Sequence, residues 1–297
     1  MEKISCTQGA GYACASDRSA LEALWNQAFE KEEAFAVYIF DRLFVPQNTI
    51  IWREGQEIVA AMHCFFYTLT MDGKAIDSVY FYGIATAKKA RGQGIASRMI
   101  DFACKEMKTR GVQVAFLIPA SDSLYSFYAA LGFAPAFYLK KDLAFHFDNK
   151  SALTLTPPAD LSLLNGIYNL CLNGSCYAKR NPDNWQSIAD EVAMDGGALL
   201  CFEDKAYAIC TFENKHLFIR EAFSLNAKID IISAAMCHFG KNVATVFSPA
   251  QKDGGYPYGV ARLLQDKPDD VLFTDSFFTF LRENGGCYRP YISLLHN

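Results

Sequence analysis

Residues 91–96 have the composition of an anion-binding turn. They read Arg-Gly-Gln-Gly-Ile-Ala and lead into a helical pattern that ends at Gly111. Gly92 and Gly94 have no Cβ atom, so the backbone can approach a large anion closely. The first amides of a helix have no partner within it, and the helix dipole adds partial positive charge there. The turn is therefore predicted to bind phosphate, with Arg91 supplying a full positive charge.

The segments on either side of this turn predict the elements that position it. An apolar, aromatic strand pattern covers 79–86 and precedes the turn. After the helix, 112–118 has the pattern of a buried strand, and 124–131 that of a short helix which stops at Gly132. The predicted order is strand, glycine-rich turn, helix, strand, helix.

These motifs, in this order, resemble the GCN5-related N-acetyltransferases (GNAT). The motif Arg91-x-x-Gly94-x-Ala96 is preceded by Gly-Ile-Ala-Thr at 83–86 and followed by Phe-Tyr-Ala-Ala-Leu-Gly-Phe at 127–133. A dinucleotide-binding turn is the rival interpretation, but the G-x-G-x-x-G spacing is absent. A purely structural turn is the other alternative.

The resemblance implies an α+β fold, in which helices flank a mixed central sheet, and acetyl-CoA as the cofactor. In this family the glycine turn binds the pyrophosphate, and the preceding strand offers backbone groups to the pantetheine arm and the thioester. The implied cofactor-binding residues are Ile84, Ala85, Thr86, Arg91, Gly92, Gln93, Gly94, Ile95 and Ala96. Tyr128, four residues before Gly132, is implied to protonate the departing thiolate. Tyr125 lies on the same helical face but does not match the family position.

The side chains expected to line the acceptor pocket are aromatic. In the resembling family, the first two helices cover one side of this pocket, and both predicted helices carry aromatic residues here. The strand before the turn adds two tyrosines on one face. The candidate substrate-binding residues are Trp25, Phe29, Tyr38, Tyr80 and Tyr82. The alternative is that these rings belong to an apolar stripe packed against the sheet.

The sequence does not assign the general base. The family often places a glutamate on the strand before the turn, and the matching position here is Val79, which cannot accept a proton. Asp77 on the same face and His63 on the preceding strand are alternatives, each with an ordinary structural interpretation as well. A water chain or a carboxylate from elsewhere could equally take the proton.

Composition narrows the choice of partners. The 297 residues carry 28 Lys+Arg and 32 Asp+Glu, a formal net charge of −4. No basic stripe lies beyond the turn, so we expect no nucleic-acid partner. No apolar run has the length of a membrane span and no signal-peptide pattern begins the chain, so we expect a cytoplasmic protein without a membrane partner. The 10 cysteines lack the spacing of a zinc site, so we expect no metal.

The second half of the sequence predicts a repeat of the first. Chain breakers at 156–159 indicate a boundary, so the predicted domains are 1–150, an acetyl-CoA-binding GNAT domain, and 151–297, a degenerate GNAT-like domain. Between Leu225 and Lys228 this half has neither arginine nor glycine, so it encodes no second phosphate turn.

The tandem order resembles the enhanced-intracellular-survival type acetyltransferases without their C-terminal sterol-carrier-like domain. Those enzymes use the terminal carboxylate at the active site. Here 288–297 has the pattern of a last strand, so that role is doubtful for Asn297.

The predicted function is transfer of an acetyl group from acetyl-CoA to a primary amine of a small molecule. The first alternative is an acyl-CoA-binding sensor or interaction protein without turnover, which valine at position 79 slightly favours. The second is a protein acetyltransferase that acts on a lysine or an N-terminus. The intact turn and Tyr128 favour the enzyme, while the acceptor and the oligomeric state stay open.

Overall fold

The chain forms two compact units, each built from segments of both halves of the sequence. In the computed structural model the described residues are 8–29, 33–71, 73–147, 151, 153–250, 254–265 and 291–292. The first unit is drawn from Met1–Tyr67, Asp77–Ala134 and Val260–Asp270. The second unit is drawn from Thr68–Ile76, Pro135–Gly259 and Val271–Asn297.

Helices and strands follow one another in two similar series. The strands are β1 (Gly9–Tyr12), β2 (Thr49–Glu54), β3 (Glu57–Met71), β4 (Lys74–Thr86), β5 (Val114–Leu117), β6 (Ala134–Phe145), β7 (Tyr177–Ala178), β8 (Ala198–Phe202), β9 (Ala206–Glu213), β10 (His216–Ser224), β11 (Val243–Pro249) and β12 (Tyr256–Leu263). The helices are α1 (Arg18–Ala28), α2 (Glu33–Tyr38), α3 (Ile95–Thr109), α4 (Ser123–Ala130), α5 (Leu161–Cys171), α6 (Pro182–Met194) and α7 (Ile231–His238). The α+β fold class predicted from the sequence is confirmed.

The strands of the first unit lie in the order β1-β2-β3-β4-β5-β12. β1, β2 and β3 are antiparallel neighbours, whereas β4 and β5 run parallel. From Val260 onward β12 pairs antiparallel with β5. β2, β3 and β4 follow one another along the chain, and Gly55 and Gly73 turn the two corners with φ values of 62° and 73°. The sequence pattern does not predict β1 or β12.

The helix predicted after the turn is α3, and one face of it is an apolar stripe buried in the first unit. Met99, Ile100, Ala103 and Met107 are each 0% exposed. Burial of a large apolar side chain contributes about 1.5–3 kcal/mol, so the stripe holds α3 firmly in the core of the first unit. The N-terminus of α3 is thereby fixed immediately after the turn that follows β4.

The second unit repeats the topology of the first. Two helices, α5 and α6, precede the antiparallel strands β8, β9 and β10, and then come α7 and β11. β10 and β11 run parallel, as β4 and β5 do in the first unit. The predicted repeat of helices and strands is therefore present in the second unit.

β6 and β12 come last in the two similar series of helices and strands, and each pairs with a strand of the other series. β6 follows α4 along the chain, yet it pairs antiparallel with β11 in the second unit. β12 follows β11, yet from Val260 it pairs with β5 in the first unit. Contacts thus divide the chain differently from the predicted boundary between residues 150 and 151, because strand pairing joins segments that are distant in sequence. The functional labels of the two predicted domains stay a prediction.

A buried charged network stabilises the second unit. Arg180 pairs with Glu221 at 2.6 Å, and both side chains are almost fully buried. Tyr207 and Tyr291 donate to the two carboxylate oxygens of Glu221, each at 2.6 Å. A buried ion pair is stable when its remaining lone pairs are satisfied in this way. Tyr291 belongs to the predicted last strand at 288–297, where only Tyr291 and Ile292 are described; Asn297 lies outside the described residues.

No helix within the described part of the chain is long and apolar enough to cross a membrane.

Candidate functional site

The turn between β4 and α3 has the geometry that the sequence predicts. Gly92 and Gly94 adopt left-handed φ values of 75° and 71°, which residues with a Cβ atom rarely adopt. A Cβ atom added at Gly92 would meet no heavy atom within 4 Å, so the backbone borders open space. Arg91 Nε donates to the carbonyl oxygen of Thr86 at 3.0 Å, and Gln93 Nε2 donates to that of Lys89 at 3.2 Å. The first bond ties the turn to the end of β4, and the second lies within the segment between β4 and α3.

The N-terminus of α3 can receive an anion. Its N-cap residue is Gly94, and no side chain caps the helix there. The first bond within the helix runs from the amide of Arg98 to the carbonyl oxygen of Gly94 at 3.1 Å. The amides of Ile95, Ala96 and Ser97 precede that bond, so they are donors without a carbonyl partner in the helix. Together with the helix dipole they favour a phosphate group at this point.

The cations near the turn include one that the sequence analysis does not single out. Lys89 pairs with Glu57, which offsets its charge. Arg91 stays exposed, and Arg98 is a further exposed cation that the sequence analysis does not identify. The guanidinium of Arg98 lies over the ring of Trp52, 4.8 Å from its centroid, and its Nη1 is 3.9 Å from the position of a Cβ atom on Gly94. The sequence could have indicated Arg98, because it follows the N-cap residue Gly94 by four positions and therefore lies on the first turn of α3.

β4 and β5 separate beside the turn. They pair only at Ser78–Val114, Val79–Ala115 and Tyr80–Phe116, although β4 continues to Thr86. Past this separation, Gly83 has a φ of 61°, which interrupts the regular strand. Residues 84–86 follow on the part of β4 that does not pair with β5. Thr86 Oγ1 is buried there without a hydrogen-bond partner in the described residues. An extended ligand can therefore lie along this edge of β4.

Tyr128 is buried on α4 and keeps its proton. The side chain is 6% exposed, and its ring packs edge-on against Phe127 and Phe133. Burial raises the pKa of Tyr128 to about 12. No described residue makes a hydrogen bond with its hydroxyl group, which leaves the proton available to a ligand. Tyr125, on the same helix, is more exposed.

Three of the five aromatic residues predicted to contact substrate lie in one cluster with His63. Trp25 contacts Phe29, Tyr82 and His63, with ring centroids 4.4, 5.7 and 6.0 Å apart. Rings that the sequence analysis does not identify complete this aromatic cluster, namely Phe40, Phe44 and Phe65. Tyr80 lies 5.8 Å from Tyr82 but stacks on Phe116, and Tyr38 is half-buried at the end of α2.

The candidate bases occupy very different environments. Val79 is fully buried and has no proton-accepting group. Asp77 is exposed and lies six residues before Gly83 on β4, which corresponds to about 20 Å of extended chain. His63 is buried in the aromatic cluster, and burial lowers its pKa to about 4, so the ring is neutral at pH 7. No three His, Cys, Asp or Glu side chains within the described ranges are grouped to hold a metal ion.

Comparison with known proteins relates this fold and turn to the GNAT acetyltransferases. Residues 12–136 match the family model described as an acetyltransferase (GNAT) domain. The match assigns residues 12–136, and not the remainder of the chain, to this domain family. No curated protein matches the chain.

Several solved structures share the fold over both units. A probable N-acyltransferase from Enterococcus faecalis has a TM-score of 0.70 at 14% identity and covers 87% of this chain and 72% of its own. Eis1 from Mycobacterium abscessus has a TM-score of 0.63 at 14% identity, with 86% and 74% covered. A putative acetyltransferase from Pyrococcus horikoshii has a TM-score of 0.59 at 12% identity, with 99% and 98% covered. The predicted resemblance to tandem GNAT proteins, including an Eis-type one, is confirmed at the level of the fold.

Proposed function

We propose that this protein is an acetyl-CoA-dependent N-acetyltransferase that acts on a primary amine of a small molecule. The observation that carries the proposal is the turn at 91–96. Gly92 and Gly94 are both left-handed, and Gly92 borders open space. The turn leads into a helix without a side-chain cap, next to the part of β4 that β5 does not pair with. This combination suits a long ligand with a pyrophosphate group at one end.

The residues around the turn fit acetyl-CoA. The amides of Ile95, Ala96 and Ser97 would bind the pyrophosphate, and the exposed guanidinium groups of Arg91 and Arg98 would offset its charge. The backbone of 84–86 would hold the pantetheine arm along the free edge of β4. Thr86 Oγ1 is buried and unpaired among the described residues, and it gains a hydrogen-bond partner if this arm is present.

When bound, acetyl-CoA supplies an acetyl group activated as a thioester. An amide near Ala85 or Thr86 would polarise the acetyl carbonyl group. The neutral acceptor amine would form the new C–N bond as the C–S bond breaks. Tyr128 would give its proton to the sulfur, because burial keeps the phenol protonated at working pH.

The second unit would not hold a second acetyl-CoA molecule. Its α7 is the counterpart of α3, but residues 225–230 before it contain no glycine. The carboxylate of Asp230 accepts a hydrogen bond from the amide of Ser233 at 3.0 Å and so caps α7. A carboxylate at this position repels an anion and occupies the donor that a phosphate needs. We therefore place one cofactor site in the protein.

Release of free thiol from acetyl-CoA, measured against a panel of small amines, tests the proposal. Amine-dependent release at a rate well above hydrolysis supports the enzyme. Tight binding of acetyl-CoA without release for any amine would instead support the sensor. Absence of acetyl-CoA binding by calorimetry would contradict the assignment of the turn.

A further inference from the structure

The aromatic cluster around His63 contains two polar nitrogen atoms that have no hydrogen-bond partner among the described residues. Trp25 is 4% exposed, and its Nε1 is buried without a hydrogen-bond partner in the described part of the chain. His63 is 3% exposed and makes one described hydrogen bond, from Nδ1 to the hydroxyl of Thr49 at 3.1 Å. Its Nε2 has no such bond to a described residue. Buried polar groups are normally paired, so these two atoms indicate a ligand.

The hydrogen bonds of Thr49 define which nitrogen of His63 carries the proton. The Thr49 hydroxyl donates its single proton to the carbonyl oxygen of Val45 at 2.9 Å. A carbonyl oxygen only accepts, so this hydroxyl cannot also donate to His63, and Nδ1 of His63 must be the donor in the second bond. Nε2 is then an unprotonated acceptor, and the rings of His63 and Trp25 have their centroids 6.0 Å apart.

The cluster lies beside the point where β4 is interrupted. A Cβ atom on Gly83 would stand 2.4 Å from a ring carbon of Trp25 and 3.5 Å from Cδ2 of His63. Cδ2 is bonded to Nε2, so the unprotonated nitrogen is one bond away from the His63 atom nearest this position. This position is one residue before the stretch 84–86 that is proposed to hold the acetyl-pantetheine arm.

From this geometry we propose that the aromatic cluster around His63 receives the acceptor, and that the acceptor is an aromatic amine which is uncharged at neutral pH. This inference depends on the proposed acetyl transfer and specifies its acceptor. The ring of the acceptor would stack among the half-buried Phe29, Phe44 and Phe65, and its N–H group would donate to Nε2 of His63.

A protonated alkylamine suits this cluster poorly. Burial lowers the pKa of His63, and no charged group among the described residues adds to that shift. An alkylammonium group has a pKa of about 10.4. His63, with a pKa of about 4, is too weak a base to remove its proton at a useful rate. The aromatic rings would attract the ammonium ion through cation–π contacts, but they would hold it in its unreactive form. An arylamine is already neutral and needs no deprotonation before it reacts.

The proton balance of this reaction closes with residues of the first unit. The amine nitrogen forms a bond to the acetyl carbon, and the carbon–sulfur bond breaks. The nitrogen becomes acidic as it acquires positive charge, so Nε2 of His63 can accept its proton despite being a weak base. Tyr128 supplies one proton to the sulfur, and exchange with water restores both side chains.

A matched pair of amines tests the inference. 4-Methylaniline and 4-methylcyclohexylamine have the same carbon skeleton, but only the second is protonated at pH 7.5. We expect kcat/KM for thiol release to be about 100-fold higher, or more, with the arylamine. Equal or higher kcat/KM with the alkylamine would overturn the inference while supporting the proposed acetyltransferase. Absence of thiol release with both amines and with the wider panel would overturn both.

Variants of the cluster separate its binding role from its packing role. His63→Asn keeps a donor for Thr49 and removes the Nε2 acceptor, and it should raise the KM for 4-methylaniline at least tenfold without changing the KM for acetyl-CoA. Trp25→Phe keeps an aromatic ring and should raise the same KM several-fold. Phe66→Leu is the control, because Phe66 is exposed on the opposite face of β3. Unchanged arylamine kinetics in both cluster variants would contradict the inference. If His63→Asn does not fold, the KM of Trp25→Phe for 4-methylaniline alone tests the inference.

Discussion

The guanidinium of Arg262 donates from Nη1 to the carbonyl oxygen of Leu131 at 2.8 Å. Leu131 is the C-cap residue of α4, the helix that carries Tyr128. The same Nη1 pairs with Asp101 at 3.1 Å, and the arginine side chain lies over Gly132, 3.5 Å from where a Cβ atom would be. A residue of β12 therefore fixes the end of the helix that holds the proposed general acid.

Arg262→Met should lower kcat by roughly tenfold or more, since a small displacement of a positioned group is costly in catalysis. The KM for acetyl-CoA should stay within about twofold, because the turn at 91–96 is unaffected. Arg262→Lys keeps one donor and should recover part of the loss. Steady-state kinetics of the two variants checks this.

Asp101→Asn is the matched control for Arg262. It removes only the partly exposed ion pair, which contributes about 0–1 kcal/mol, so its kcat should be close to that of the wild type. A normal kcat in Arg262→Met, together with a lower melting temperature, would show that the arginine stabilises the fold and has no effect on Tyr128.

A chain truncated after residue 150 should not form a stable first unit. It would lack β12, so β5 would lose the antiparallel partner that spans Val260–Leu117 to Leu263–Val114. An unpaired central strand exposes its backbone groups to water and to other chains. We expect low hydrogen-exchange protection of β5 and aggregation. The control is the same fragment with residues 256–265 attached through a flexible linker, which should regain protection. Equal protection in both fragments would disprove the dependence on β12.

The glycines of the turn can be tested against a matched glycine elsewhere. Gly94 and Gly55 have similar φ values, 71° and 62°, so alanine at either position costs about 1–2 kcal/mol of stability. Only Gly94→Ala should raise the KM for acetyl-CoA, by about tenfold, because Gly55 lies in the β2–β3 hairpin. A similar KM change in both variants would mean that the effect comes from stability and not from cofactor binding.

His63 should make the protein less stable in mild acid. Its pKa is about 4 in the folded chain, whereas the ordinary value is 6.5. As the pH falls from 6.5 to 4, the unfolded chain takes up a proton that the folded chain does not, so the free energy of unfolding falls. The full effect is about 3 kcal/mol, from a difference of about 2.5 pKa units. Urea unfolding at pH 7 and pH 4.5 should show a smaller loss in His63→Asn. Identical losses would mean that His63 is not neutral and buried.

Local patterns were sufficient to predict the glycine turn at 91–96 and the helix that follows it. Each depends on residues that are close in sequence, such as Gly92 and Gly94 before an amphipathic helix. The repeat in the second half was also predictable, because its helices and strands follow the same order.

The exchange of β6 and β12 could not be predicted from the sequence. Residues 256–263 carry no feature that distinguishes β5 from β11 as their partner, and pairing between distant segments depends on the assembled sheet. The contact of Arg262 with the end of α4 could not be predicted either, because it also depends on where β12 pairs. The environment of His63 likewise required the structure, because its aromatic neighbours come from α1, from the segment after α2 and from two strands.

The most direct test of the central claim is the kcat for thiol release by Tyr128→Phe, with the wild type and Tyr125→Phe measured alongside. Removal of a general acid costs about 10²–10⁴-fold, so Tyr128→Phe should lose at least 100-fold in kcat with an unchanged KM for acetyl-CoA. Tyr125→Phe should behave like the wild type. Full kcat in Tyr128→Phe would contradict the assignment of Tyr128 as the proton donor in an acetyl-transfer site.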